Sequence, residues 1–152
     1  MTKRSLASEL AHLFNLFLAF NHKSQGRIER ARNRLDRALS LTNDAEPYLM
    51  AFDGILMVSE DRHESARKRF RESLSALEAA MDAEKKYVAP YCRLWLSMYD
   101  VNCAYEEIDR LWEEAHSLEA TGTEKALLRL PPKDALRKEF GNRKGLTSTA
   151  RL

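Results

Sequence analysis

Laid over itself with a shift of 35 residues, the chain meets its own pattern. Ala31 falls on Ala66, Leu35 on Phe70, Ala38 on Ser73 and Leu39 on Leu74. Ala19 falls on Gly54, and the turn residue Gly26 falls on Asp61. Arg27, Arg32 and Arg34 fall on Arg62, Arg67 and Arg69. Self-similarity at a period of this size restricts a chain to stacked supersecondary units. One such unit cannot bury its apolar face alone and must lean on its neighbour.

The repeating unit is helical. The 152 residues hold five Gly and four Pro, and Pro131 and Pro132 sit together near the end. That leaves the first 120 residues almost free of helix breakers and dominated by Leu, Ala, Arg and Glu. A first helix is predicted from Thr2 or Ser5 to Asn21. Its later half is apolar nearly all round and needs cover on more than one side. Ile28, Ala31, Leu35, Ala38 and Leu39 have the spacing of an amphipathic second helix ending near Leu41. Pro47 suits the first turn of a third, Ala45 to Ser59. A long fourth helix is expected from Arg62 or His63 to Lys86, and a fifth from Ala89-Pro90 to Asp100. The sixth spans Tyr105 to Glu119, and a short seventh, Glu124 to Leu130, is stopped by Pro131-Pro132. A last turn or two is expected over Lys133–Phe140.

Small residues in both helices of a unit let the backbones approach, and a large apolar residue fills the gap between units. In this pattern the chain resembles the tetratricopeptide repeat, a family of helix-turn-helix units of about 34 residues. Gly54 stands at the family's first-helix glycine, with Ala66, Phe70 and Ser73 at its small, large and small second-helix positions. Ala19, Ala31, Leu35 and Ala38 are their equivalents one period earlier, with Gly26 at the turn glycine. The match covers Leu13 to Leu74 and, more weakly, Tyr91 to Leu118. The family's first-helix Trp and Tyr are absent from the first two units. The resemblance implies an all-α fold, with antiparallel helix-turn-helix pairs stacked as a short superhelix. Residues 1–140 then form a single domain, and 141–152 a polar tail without fixed structure.

The chain carries no recognisable catalytic chemistry. Five scattered glycines build no phosphate loop, and H-E-x-x-H, C-x-x-C and G-x-S-x-G are missing. His12, His22, His63 and His116 share no ligand spacing, so no metal and no cofactor are expected. Cys92 and Cys103 are too few for a disulfide framework. Catalytic carboxylates need burial or a charged neighbour, whereas acid pairs such as Glu106 with Asp109 are expected on the solvated outer face of an amphipathic helix. The apolar stretch Leu10–Phe20 after Lys3 and Arg4 is too short to span a bilayer and is interrupted by His12 and Asn15. The expectation is a soluble cytoplasmic protein that is not an enzyme.

Tetratricopeptide-like domains are usually adaptors whose first helices line a concave groove. The resemblance places Leu13, Phe17 and Phe20 on that groove from the first unit, and Tyr48, Phe52 and Ile55 from the second. The family's polar clamp is missing apart from Lys23, which favours an apolar groove. The expected activity is protein–protein interaction: binding a helical or apolar peptide segment, or self-association as a homodimer. The chain's own last helices are a third candidate cover. An alternative is a nucleic-acid-binding protein using Arg27, Arg34, Arg62 and Arg69 as a phosphate ridge. Against it, Glu29, Asp36, Glu64 and Glu72 interleave with those arginines, and no aromatic platform sits among them. The net charge of +2 calls for no nucleic acid. An acidic block at 104–119 and a basic one at 121–152 are expected to pair with each other.

Overall fold

The structure is a computed structural model, and it describes residues 5–42, 46–77, 82–118 and 127–150. Seven helices occur among them: α1 (Leu6–Ser24), α2 (Ile28–Ser40), α3 (Pro47–Ser59), α4 (His63–Leu77), α5 (Asp82–Ser97), α6 (Tyr105–Ser117) and α7 (Lys133–Ala150). No strand occurs among the described residues. α1 packs against α2, α3 against α4 and α5 against α6 as antiparallel pairs, and neighbouring pairs meet through α2–α3, α3–α5 and α4–α5. This is a helical-repeat-like stack of helix-turn-helix pairs.

The first two pairs turn in the same way, one period apart. Gly26 has a φ of 76° and Asp61 a φ of 58°. The Arg27 amide donates to the His22 carbonyl at 2.8 Å, and the Arg62 amide to the Met57 carbonyl at 2.9 Å. A left-handed residue followed by a bond back across five residues satisfies the last carbonyls of a helix and reverses the chain. Glycine takes this conformation without a Cβ clash, and aspartate is among the few other residues that tolerate it.

Inside the second pair, a Cβ on Gly54 would meet the Phe70 ring at 2.9 Å, so only glycine admits that approach. One period earlier Ala19 and Leu35 are both fully buried, and the smaller Leu leaves room for a methyl. The Ser73 hydroxyl donates to the Pro47 carbonyl at 2.7 Å, tying the end of α4 to the start of α3. Phe70 then stacks on Trp95 of α5 at 6.3 Å between centroids. One apolar core runs from Leu16 to Phe140.

Three expectations need correction. The expected fourth helix to Lys86 is met by two: α4 is described to Leu77, and Asp82 onward belongs to α5, which packs back against α4, while 78–81 lie outside the described residues. Pro90 therefore lies inside α5 instead of starting it. Its missing N–H and ring clash weaken the helix locally, but Tyr87, Val88, Ala89, Tyr91 and Cys92 around it are all buried and hold the segment in place. The chain from Gly141, expected to lack structure, continues α7 to Ala150. Gly141 acts there as a point of close approach, because a Cβ would sit 2.8 Å from the Tyr105 hydroxyl. Of the short helix expected at Glu124–Leu130, 124–126 lie outside the described residues; of the rest, Leu127 and Leu128 are buried and Tyr87 donates to the Leu128 carbonyl.

Candidate functional site

The two sides of α1 contrast sharply. Its inner side belongs to the first pair. Leu16 and Ala19 are buried there, and His12 donates from Nδ1 to the Ala38 carbonyl of α2 at 2.7 Å. Asn15 donates to the Ala11 carbonyl and accepts from Arg34 at 3.2 Å, so its amide is satisfied on both sides, whereas the buried Nδ1 of His22 further along α1 has no hydrogen-bond partner among the described residues. The outer side carries Leu6, Leu10, Leu13, Phe14 and Phe17, exposed by between 52 % (Leu13) and 73 % (Leu6). These five are the exposed large hydrophobic residues among the described part of the chain, and all lie on one helix.

Leu6, Leu10, Leu13 and Phe17 follow one another by four, three and four residues. That spacing lines them up as a single seam along a helix, with Phe14 beside it. Glu9 is the one formal charge between Leu6 and Asn21. The face is thus apolar, nearly uncharged and about three helical turns long.

The expected groove is split by the fold. Leu13 and Phe17 are exposed, Phe20 and Tyr48 are half-buried, and Phe52 and Ile55 belong to the core, Phe52 with no exposure at all. Phe52 and Ile55 therefore line no open surface, because α3 has α2 and α5 as well as α4 against it. Leu6, Leu10 and Phe14 were missed. Their seam was legible as a 3–4 spacing, but α1 is apolar on so many sides that spacing alone could not separate the core side from the outer side.

The four arginines of the phosphate-binding alternative do not come together as a free ridge. Arg69 donates to Asp53 and Glu72, both at 2.8 Å. Arg34 is held by Asn15, and Arg62 lies 3.6 Å from Glu60. Arg27 is exposed beside an open depression whose lining also includes Ile28, Glu29 and Arg30. His22 nearby is held below its ordinary pKa by desolvation and then by the positive charges of Arg27, Arg30 and Arg34.

Arg32, which was not singled out, joins the first two pairs. It donates to Asp53 of α3 at 2.6 Å and to Glu60, the C-cap of α3, at 2.6 Å. Burial alone would lower the Arg32 pKa; the hydrogen bonds to Glu60 and Asp53 outweigh it and raise it. Asp53 in turn accepts from Arg69 of α4. A buried carboxylate thus takes one cation from the preceding pair and one from its own.

The opposite end of the stack is closed. Leu136 and Phe140 of α7 are buried. Lys133 donates to Glu113 of α6 at 2.8 Å, and Arg137 lies 3.6 Å from Asp109. The acidic and basic blocks therefore do meet, as their charges suggested. Trp112 donates to the Pro131 carbonyl at 2.8 Å, and Arg143 lies 4.3 Å above the Tyr99 ring. The C-terminal helix covers α6 and leaves the outer side of α1 uncovered.

Among the described residues no cluster of His, Cys, Asp and Glu has a metal-binding arrangement, and no helix is long and apolar enough to cross a membrane. Both cysteines are free thiols, and burial pushes Cys92 up to about 12. No protein-family model, characterised protein or solved structure matches the chain.

Proposed function

We propose that this chain is a non-enzymatic protein-interaction module of the tetratricopeptide-like kind, acting in the cytoplasm, whose working surface is the outer face of α1. One observation carries the reading: the large hydrophobic residues left exposed among the described residues are gathered on a single helix face. Scattered apolar residues on a surface need no explanation, whereas a contiguous patch of this kind marks a site of association. The seam spacing fits an amphipathic helix as occupant, since two such faces interlock along their length. The phosphate-binding alternative receives less support, because Arg69, Arg34 and Arg62 are already engaged by Asp53, Asn15 and Glu60.

A photo-reactive amino acid placed at position 17 tests this in the cell of origin, with the exposed position 36 on α2 as control. The expected result is a covalent protein adduct from Phe17 and none from Asp36. Equal labelling at both positions, or none at Phe17, would overturn the reading.

A further inference from the structure

We infer that the outer face of α1 is closed by the same face of a second copy of this chain, in an antiparallel two-fold pairing. This rests on the docking reading above and names its occupant.

The repeat itself describes what such a face needs. One period after Leu13, Phe14 and Phe17 come Tyr48, Leu49 and Phe52 of α3. Tyr48 is half-buried, and Leu49 and Phe52 are buried. Leu49, Asp53 and Leu56 of α3 and its C-cap Glu60 form one stripe, and Arg32 of α2 holds its two carboxylates. So the stripe turns toward the first pair, and a neighbouring helix covers it. One period earlier that stripe reads Phe14, Leu18, Asn21 and Gln25 on and after α1; Leu18 and Asn21 are half-buried, while Phe14, beside the exposed Leu13 and Phe17, has no such neighbour among the described residues. What is missing is a helix surface.

The other end of the stack cannot provide that surface from a second copy. α7 closes it, and the exposed positions of α7 include Asp134, Arg137, Lys138 and Asn142. Head-to-tail growth would press Phe14 and Phe17 onto charged side chains. Among the described residues the face finds no complement, and pairing with itself closes the assembly as a two-fold dimer.

The face is suited to that. With the helices antiparallel, Leu6 of one copy meets Phe17 of the other, and Leu10 meets Leu13. No like charges are brought together, since Glu9 of each copy then lies opposite Phe14 of the other. Five large side chains at this exposure present on the order of 500 Å2 of apolar surface per copy. Two copies together approach the ~1,200 Å2 at which specific dimers begin.

Sedimentation equilibrium of the purified full chain should give the mass of two 17.5 kDa chains. The double variant Phe14→Asp/Phe17→Asp should weaken association by at least about 100-fold. Its circular dichroism and melting at a dilution where wild type is also monomeric should match wild type, because both side chains lie outside the core. With Cys103→Ser as background, Leu13→Cys should cross-link between chains through a short bis-maleimide, and Asp36→Cys should not. A wild-type monomer at up to about 100 µM overturns the inference, since an interface of this size is populated there. The in-cell adduct at position 17 would then carry the mass of a different protein, and the docking reading would stand without it. A wild-type monomer that co-sediments with phosphatidylserine vesicles would overturn both, and a dimer that the double variant leaves intact would overturn the pairing through α1.

Discussion

Phe17 and Phe52 occupy the same place in successive helix pairs, yet one is 62 % exposed and the other wholly buried. Around them the two pairs are built alike. Each reverses on a left-handed residue, Gly26 or Asp61, and each sets a small residue, Ala19 or Gly54, one period apart in the core. The difference lies in what stands alongside. α3 has α2 before it and α5 after it, whereas α1 packs chiefly on α2. Burial in a stack of repeats is a property of the neighbour as much as of the residue, and the end unit reveals the surface that the inner unit hides.

The comparison breaks most visibly if the two phenylalanines respond alike to truncation. Phe52→Ala should lose about 3–5 kcal/mol in urea unfolding, because it leaves a cavity in a closed core. Phe17→Ala, measured at a dilution where the chain is monomeric, should stay within about 0.5 kcal/mol of wild type. Equal losses would mean that α1 has cover within its own chain.

The glycine contact sharpens the comparison further. Gly54→Ala puts a methyl against the Phe70 ring, which is itself stacked on Trp95 and has little room to yield. Overpacking should outweigh the gain in helix propensity and leave a net loss of about 1–2 kcal/mol. Adding Phe70→Leu recreates the Ala19 and Leu35 combination of the first pair. In thermal melts the double variant should then be more stable than the sum of the two single effects; strict additivity would separate the glycine from the ring.

The smallest effect concerns the turns. Asp61→Gly should stabilise by about 0.5 kcal/mol by relieving a left-handed aspartate, and Gly26→Ala should destabilise by about 1 kcal/mol. Chemical denaturation of the two variants checks both signs. If they move in the same direction, the turns are not equivalent.

Much of this architecture was readable from the amino acids, and the limits have physical causes. The first two pairs were legible because the same small, large and turn residues recur at a fixed interval. The boundary between α4 and α5 was not, because Pro90 signals a helix start only where local preference decides. In α5 the burial of Tyr87, Val88, Tyr91 and Cys92 decides instead. The length of α7 was missed for a similar reason: Gly141 looks like a breaker and is there to admit the Tyr105 hydroxyl. Of the candidate surface, Leu13 and Phe17 were found, but Phe52 and Ile55 were placed with them because the two positions look alike in sequence. Among the recurrent arginines, sequence could not tell Arg32, which binds the two pairs together, from those that stay outside.

The carboxylate of Asp53 has a mechanical consequence. It is gripped by Arg32 from α2 and Arg69 from α4, so none of these three helices can slide without stranding a buried ion. α2, α3 and α4 are therefore held in register by one ion, and α1 joins them by packing on α2. A load passed from α1 into that block reaches α5 where the Phe70 ring of α4 lies against Trp95.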